Sequence, residues 1–287
     1  MPKAIGIDIG AGSIKCALVD TDAHTIIRRI DEPTPIDWTS MLSTLNRLID
    51  TIAEEENYHI GIAFPGLIDY QNQIAIHCPN ISYINNLTVD QLNRKNNIVF
   101  GNDADLALYG EQIARHITTG TIAYITLGSG VGGAISIDGS KPGELGLPVE
   151  FGHIKLASNG RQCHCGGNGC LESYFSGWAL QIVANQLGHS DVTSLIADYN
   201  QPAVKTVIDE ALQYLAMGIA NLIILFGANE IILNGKIANM THLFLPSLKE
   251  AIDKNVFLKP YCHYDIKPSG LIDEAGIIGA AAFSLTK

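Results

Sequence analysis

The sequence is short of positive charge. Lys and Arg number 18 against 29 Asp and Glu, a formal net charge of −11, and no dense basic run occurs. Binding nucleic acid by phosphate neutralisation needs clustered Lys and Arg, so a nucleic-acid partner is not expected. An acidic chain can still take a nucleotide, because backbone amides and a divalent cation neutralise phosphates locally. Long apolar runs are missing too. The N-terminus MPKAIGIDIG carries no apolar signal core. The most apolar stretch, Leu215 to Ala228, is broken by Asn221 and is shorter than the ~20 residues that span a bilayer. It reads as a buried helix running into a strand, so no membrane partner is expected and a cytoplasmic location follows. Cysteine is scarce, with six in the chain, and a disulfide framework is not expected in that compartment. Cys16, Cys78 and Cys262 read as small core residues.

The composition is that of a buried globular protein, with 47% apolar and 16% charged residues. A length of 287 residues suits two lobes. Lys3 to Gly10, Ser13 to Asp20 and Thr25 to Ile30 alternate as strands. The turn Gly10 to Gly12 therefore joins two strands, whereas a Rossmann or Walker loop leads into a helix. Asp37 to about Glu56 has helical apolar spacing. Ile60 to Gly66 and Asn97 to Asp103 read as strands, with a helix through Ala107 to Arg115. Thr121 to Gly139 then repeats the opening layout of strand, glycine turn and strand. This weak internal duplication predicts two lobes of similar build, each presenting a glycine turn. A helix over about 203–226, a strand over 230–235 and a final helix from near Ala275 complete the chain.

Three constellations carry chemistry. Asp8 ends the first strand beside a glycine turn, where a carboxylate can hold Mg²⁺ near a triphosphate; a hairpin aspartate bonding its own backbone fits equally. Asn102 and Asp103 end another strand, where ligands of open α/β sheets collect. Asp103 can accept a proton and Asn102 can orient a hydroxyl, while a helix N-cap is the competing role. The third constellation joins EFGH (Glu150 to His153) to CHCGGNGCLE (Cys163 to Glu172). Cys163, Cys165, Cys170 and His153 make a Cys₃His set suited to tetrahedral Zn²⁺, and with four protein ligands the metal is structural. His164, between two ligands, is expected to point away. Glu150 and Glu172 flank the loop, either as fixed acceptors for sugar hydroxyls or as solvated surface residues.

Together these motifs resemble the ROK family of repressors and sugar kinases, within the actin-like ATPase superfamily. The resemblance covers essentially the whole chain. Its most specific part is E-x-G-H followed by C-x-C-G-x-x-G-C-x-E, matched here at every fixed position. DIGAGSIK, AFPGLID, GNDADLALYGE, LGSGVGG and EAGIIGAA follow in family order. The resemblance implies a two-lobed α/β fold of the actin-like, ribonuclease H-like kind with mixed sheets and a structural zinc loop. One lobe would comprise residues 1–115 and 274–287, the other 116–273, with the sugar site between them.

It further implies an ATP-dependent kinase acting on the 6-hydroxyl of a hexose or N-acetylhexosamine. Asp103 would be the catalytic base. Gly66, Asn80, Asn102, Glu150, His153 and Glu172 would bind the sugar, His153 also lying on the zinc. Asp8 would hold Mg²⁺. Gly10, Gly12 and Ser13, with Gly128, Ser129, Gly130, Gly132 and Gly133, would hold the phosphates. Gly235 in LNGK would approach the adenosine, and a homodimer is expected. The chain departs from the family at three places: Gly12 replaces a threonine, Asp105 replaces the second asparagine of N-D-A-N, and the adenosine-region glycine run is reduced. CLESYFSG is closer to N-acetylglucosamine kinases, with glucose equally plausible and N-acetylmannosamine and fructose also candidates. Polyphosphate is an alternative donor. The competing class is a silent sugar-binding or regulatory protein, although Asp8 lies too early to leave room for a preceding DNA-binding domain.

Overall fold

The computed structural model describes all residues except Met1, Glu55, Asn93, Leu147, Pro148, Leu258 and Lys287. Its elements run β1 (Lys3–Ile9), β2 (Ser13–Asp20), β3 (Thr25–Pro33), α1 (Trp38–Ala53), β4 (His59–Phe64), β5 (Leu67–Asp69), β6 (Ile74–His77), β7 (Leu87–Thr88), β8 (Ile98–Asn102) and α2 (Asp103–Ala114). They continue β9 (Thr121–Leu127), β10 (Val131–Ile137), α3 (Gly177–Gln186), α4 (Val192–Ala197), α5 (Pro202–Phe226), β11 (Glu230–Asn234), α6 (Thr241–Asn255), β12 (Asp265–Pro268) and α7 (Ala275–Ser284). The chain divides into two units. The first holds Met1–Thr118, Gly139–Pro148 and Gly270–Lys287, the second Thr119–Asp138 and Val149–Ser269. Segment 139–148, assigned to the second lobe from sequence, packs in the first unit, where Gly143 leaves no room for a Cβ against the Tyr70 ring.

The first unit is built on a mixed sheet of order β3-β2-β1-β4-β8. β1 pairs antiparallel with β2 and parallel with β4, and β4 pairs parallel with β8. Helix α1 buries Met41, Leu45, Leu48, Ile49 and Ile52 in a core shared with Ile5, Ile7, Ile60 and Ile62. Asp37 starts it, accepting the Ser40 N–H at 3.0 Å. Helix α7 lies against the sheet at backbone distance. A Cβ on Gly61 would stand 1.8 Å from the Ala280 oxygen, and one on Gly6 would stand 2.0 Å from the Ile277 oxygen. Gly61→Ala is therefore expected to lower stability by ~3 kcal/mol or more, because backbone cannot yield as a side chain can. Denaturant unfolding would measure it; an unchanged midpoint would mean α7 can lift off β4.

The second unit repeats the plan with order β10-β9-β11-β12: an antiparallel glycine-turn hairpin, then parallel strands. The duplication read from the sequence is thus a duplication of topology. Helix α5 is 25 residues long and apolar enough to cross a bilayer by length and composition, longer than its apolar run suggested. More than half of its most apolar window is buried, and Ile208, Leu212, Leu215 and Ile219 join the unit's core. It is a core helix, as expected. Of the cysteines read as core, Cys16 and Cys78 are buried while Cys262 is only half-buried.

Candidate active site and metal centre

In the first unit the two carboxylates singled out in the sequence stand at the ends of parallel strands of one sheet. Asp8 is next to last in β1, and Asp103 follows β8 as the first residue of α2. Asn102 is the N-cap: its Oδ1 accepts the N–H groups of Ala104 at 2.9 Å and Asp105 at 3.0 Å. Its Nδ2 donates to the Gly66 carbonyl at 2.9 Å. The capping role is therefore real, and it sets Asp103 at a fixed place on the helix. Gly66 is needed for a close approach, since a Cβ there would stand 2.1 Å from the His77 oxygen. That contact sets the segment leading to Asn80, which is exposed in a short 3₁₀ turn.

Desolvation pushes the Asp103 carboxyl up to about 7, helped by the charges of Asp8 and Asp105 and opposed by a hydrogen bond from the Ala104 N–H. Desolvation likewise raises Asp8, with Lys15 opposing. Lys15 Nζ lies 3.4 Å from Asp8 Oδ2. Sequence reasoning missed it, although the hairpin register pairs Asp8 with Lys15 across β1 and β2. At the first glycine turn Ala11 and Gly12 are exposed, and a Cβ on Gly12 would meet nothing. Backbone there is open to a ligand.

In the second unit the turn between β9 and β10 is less open than expected. Gly128 has free space where a Cβ would be. The Gly132 N–H donates to the Thr126 hydroxyl at 3.0 Å, and Gly133 is buried where a Cβ would meet Phe151 at 2.7 Å. The absence of side chains at these two positions serves packing, as it does at Gly130, where a Cβ would stand 2.5 Å from Glu172 Oε2. Gly235, at φ 100°, turns the chain over the Leu127 carbonyl, 2.5 Å from its ideal Cβ position.

His153, Cys163, Cys165 and Cys170 place one ligand atom each within 4.8 Å of all the others. Cys163 Sγ is 3.7 Å from His153 Nδ1, and Cys165 Sγ is 3.6 Å from Cys170 Sγ. Bonds of about 2.3 Å to sulfur and about 2.0 Å to nitrogen at tetrahedral angles separate ligand atoms by about 3.5–3.8 Å. The residues fit zinc. Backbone explains the gathering: Cys163 N–H donates to Gly167 O and Gly166 N–H to Cys163 O, folding the loop on itself. Gly169, at φ 73°, passes 1.7 Å (ideal Cβ to oxygen) from Ala157 and admits no side chain. His164 points away, as expected, and stacks on Trp178 with ring centroids 4.1 Å apart. Lys155 Nζ contacts Cys170 Sγ at 2.8 Å.

Glu172 is no solvated surface residue. Its Oε2 accepts the Val131 N–H at 3.0 Å and its Oε1 the Trp178 Nε1–H at 3.3 Å. The carboxylate thereby ties the cysteine loop to the glycine turn. Glu150 is exposed. The letters of CLESYFSG that leaned towards N-acetylglucosamine have structural jobs. Tyr174 stacks on Tyr214 with its hydroxyl accepting the Arg161 N–H, and Ser176 caps α3.

The ROK family model matches residues 4–287. A glucokinase from Thermotoga maritima is 28% identical, over 98% of this chain and 96% of that protein. A xylose repressor from Bacillus subtilis is 27% identical, over 97% of this chain and 76% of that protein. The ROK family glucokinase of Streptomyces griseus, solved in complex with glucose and AMPPNP, superposes with a TM-score of 0.84 at 24% identity, covering 99% of this chain and 100% of that one.

Proposed function

As this chain belongs to the ROK family, we propose that it is an ATP-dependent kinase for the 6-hydroxyl of a hexose or N-acetylhexosamine. The observation that carries the reading is Asp103: a carboxylate fixed at a helix start, with its pKa brought up to about 7, near where a general base works best. Asp103 takes the proton of the sugar hydroxyl as that oxygen bonds the γ-phosphorus. The bridging P–O bond breaks and its electron pair leaves with ADP. Mg²⁺ supplies charge neutralisation on the phosphoryl oxygens, and Asp8 is the residue that would hold it. Gly10, Gly12, Ser13 and Gly128 to Gly130 would offer backbone to the phosphates, and Gly235 would lie along the adenosine.

Gly66, Asn80, Asn102, Glu150, His153 and Glu172 would orient the sugar. His153 can do so while ligating zinc, because its Nδ1 faces Cys163 and the other ring nitrogen remains for a second partner. Zinc supplies no chemistry in this reading; it fixes the loop that carries these acceptors. A reducing cytoplasm suits its thiols.

A coupled ADP-release assay over glucose, N-acetylglucosamine, N-acetylmannosamine, mannose and fructose tests the proposal, with ATP and with polyphosphate as donor. We expect one sugar to stimulate transfer well above the rest, glucose and N-acetylglucosamine being the first to try. Sugar binding without transfer from either donor would sink the kinase reading. It would favour a sugar-responsive regulator, which the xylose-repressor relative and Gly12 in the altered first turn support.

A further inference from the structure

Asp105 stands at the third position of α2, where a longer Glu or Gln would reach back to the N-cap N–H and close a capping box. Its side chain is too short, and a phenol completes the circuit. The Tyr70 hydroxyl donates to Asp105 Oδ2 at 2.7 Å, and its oxygen accepts the Asn102 N–H at 3.0 Å. Asn102 Oδ1 returns to the Asp105 N–H at 3.0 Å. The backbone of Asp103 runs between the two residues that this ring ties together. Tyr70 is itself pinned. Gln73 Nε2 donates to its carbonyl at 2.9 Å while Gln73 Oε1 accepts the Phe100 N–H of β8. The Tyr70 ring meets Phe283 of α7 edge-on, with centroids 6.1 Å apart.

We propose that Tyr70 and Asp105 are positioning residues for Asp103: their hydrogen-bonded ring holds the turn that carries the base, and Asp105 sets a negative charge beside it. The proposal rests on the reading of Asp103 as the base. The charge is separable from the ring, because a neutral amide at position 105 would still accept the phenol. Asp105 has its own carboxyl raised to about 6 by desolvation, against the Tyr70 hydrogen bond. Its charge raises the Asp103 carboxyl, so the two titrate as an interacting pair in which each disfavours the other's ionisation. The other groups facing Asp103 are Asp8 on β1 and the Cys78 thiol. Burial, then the Asp103 charge, push Cys78 up to about 11, so it stays neutral.

The test compares Asp105→Asn, Asp105→Ala and Tyr70→Phe in kcat–pH profiles with the preferred sugar. Asp105→Asn is expected to keep kcat at pH 8 within about threefold and to move the acid-limb midpoint down by about 0.5–1 unit, because a like charge has gone. Tyr70→Phe and Asp105→Ala are expected to lower kcat about tenfold or more with little change in KM, through misorientation of the base. An unmoved midpoint in Asp105→Asn together with near-normal kcat in Tyr70→Phe would reduce the pair to packing and overturn the proposal. A second readout needs no turnover. The difference in Tm between the parent and Asp103→Asn, followed against pH, reports the Asp103 midpoint. The same pair is then compared with Asp105→Asn added to both proteins. A downward move of the midpoint upholds the charge effect even if no sugar proves to be a substrate; no move overturns it.

Discussion

Asp103→Asn is expected to lower kcat by about 10²–10⁴-fold, the usual range for loss of a general base, while sugar still binds. The amide is isosteric and can still accept the Ala104 N–H that Asp103 Oδ1 accepts at 2.9 Å, so the start of α2 should survive. The same change should raise stability, with a sign fixed by linkage. The carboxyl moves from 3.8 to about 7 on folding, so the native state binds more protons than the unfolded state between those values. Stability is then lost as pH rises from about 4 to about 7, and the loss stays constant above that. Asn carries no such cost. We expect Asp103→Asn to be more stable than the parent by on the order of 1–3 kcal/mol at pH 8, discounted for the solvent that reaches the group, with no difference near pH 4. Calorimetric Tm values at both pH values, beside steady-state kinetics, measure both effects. A variant that keeps near-normal turnover would remove Asp103 from the base role.

The second large effect concerns the cysteine loop. One zinc per chain is expected by elemental analysis, and Cys165→Ser should lose it. Structural zinc in such sites contributes apparent binding energies of roughly 10–16 kcal/mol at neutral pH. A loop without its metal should therefore stop holding His153 and Glu172 in place. We expect KM for the sugar to rise by about tenfold or more, with KM for ATP changing by about threefold or less, since binding errors of an ångström already cost that much. Glu172→Gln gives the milder control. It can keep an acceptor for the Val131 N–H while weakening the sugar contact. A metal-free protein with unchanged sugar kinetics would separate the loop from the sugar altogether.

Much of the site was legible in the sequence because its parts are local. Cys163 to Cys170 and His153 lie within eighteen positions, and donor chemistry alone names the ligand set that the fold gathers. Asn102 and Asp103 are adjacent, so an N-cap and a neighbouring carboxylate follow from one dipeptide. The hairpins flanking both glycine turns were readable from strand alternation on either side. The β5–β6–β7 sheet and helices α3, α4 and α6 were not assigned. The three strands are two to four residues long, too short for alternation to register, and α4 has six.

Other features depended on residues far apart in the chain. Gly133 also has a packing role that only the fold shows, since Phe151 fills its side-chain space. Gly6 and Gly61 look ordinary until α7, from the far end of the chain, lies on them. Tyr70 carries no motif; only the tertiary fold brings its hydroxyl to Asp105 and the Asn102 amide. The sequence by itself determined the family, the repeated hairpin plan, the candidate base and the candidate metal ligands, because covalent neighbours and short periodicities encode them. Tertiary structure alone decided which glycines face open space, how far the carboxylates are desolvated, and what braces the base. Those properties belong to packing between distant segments, which no local pattern records.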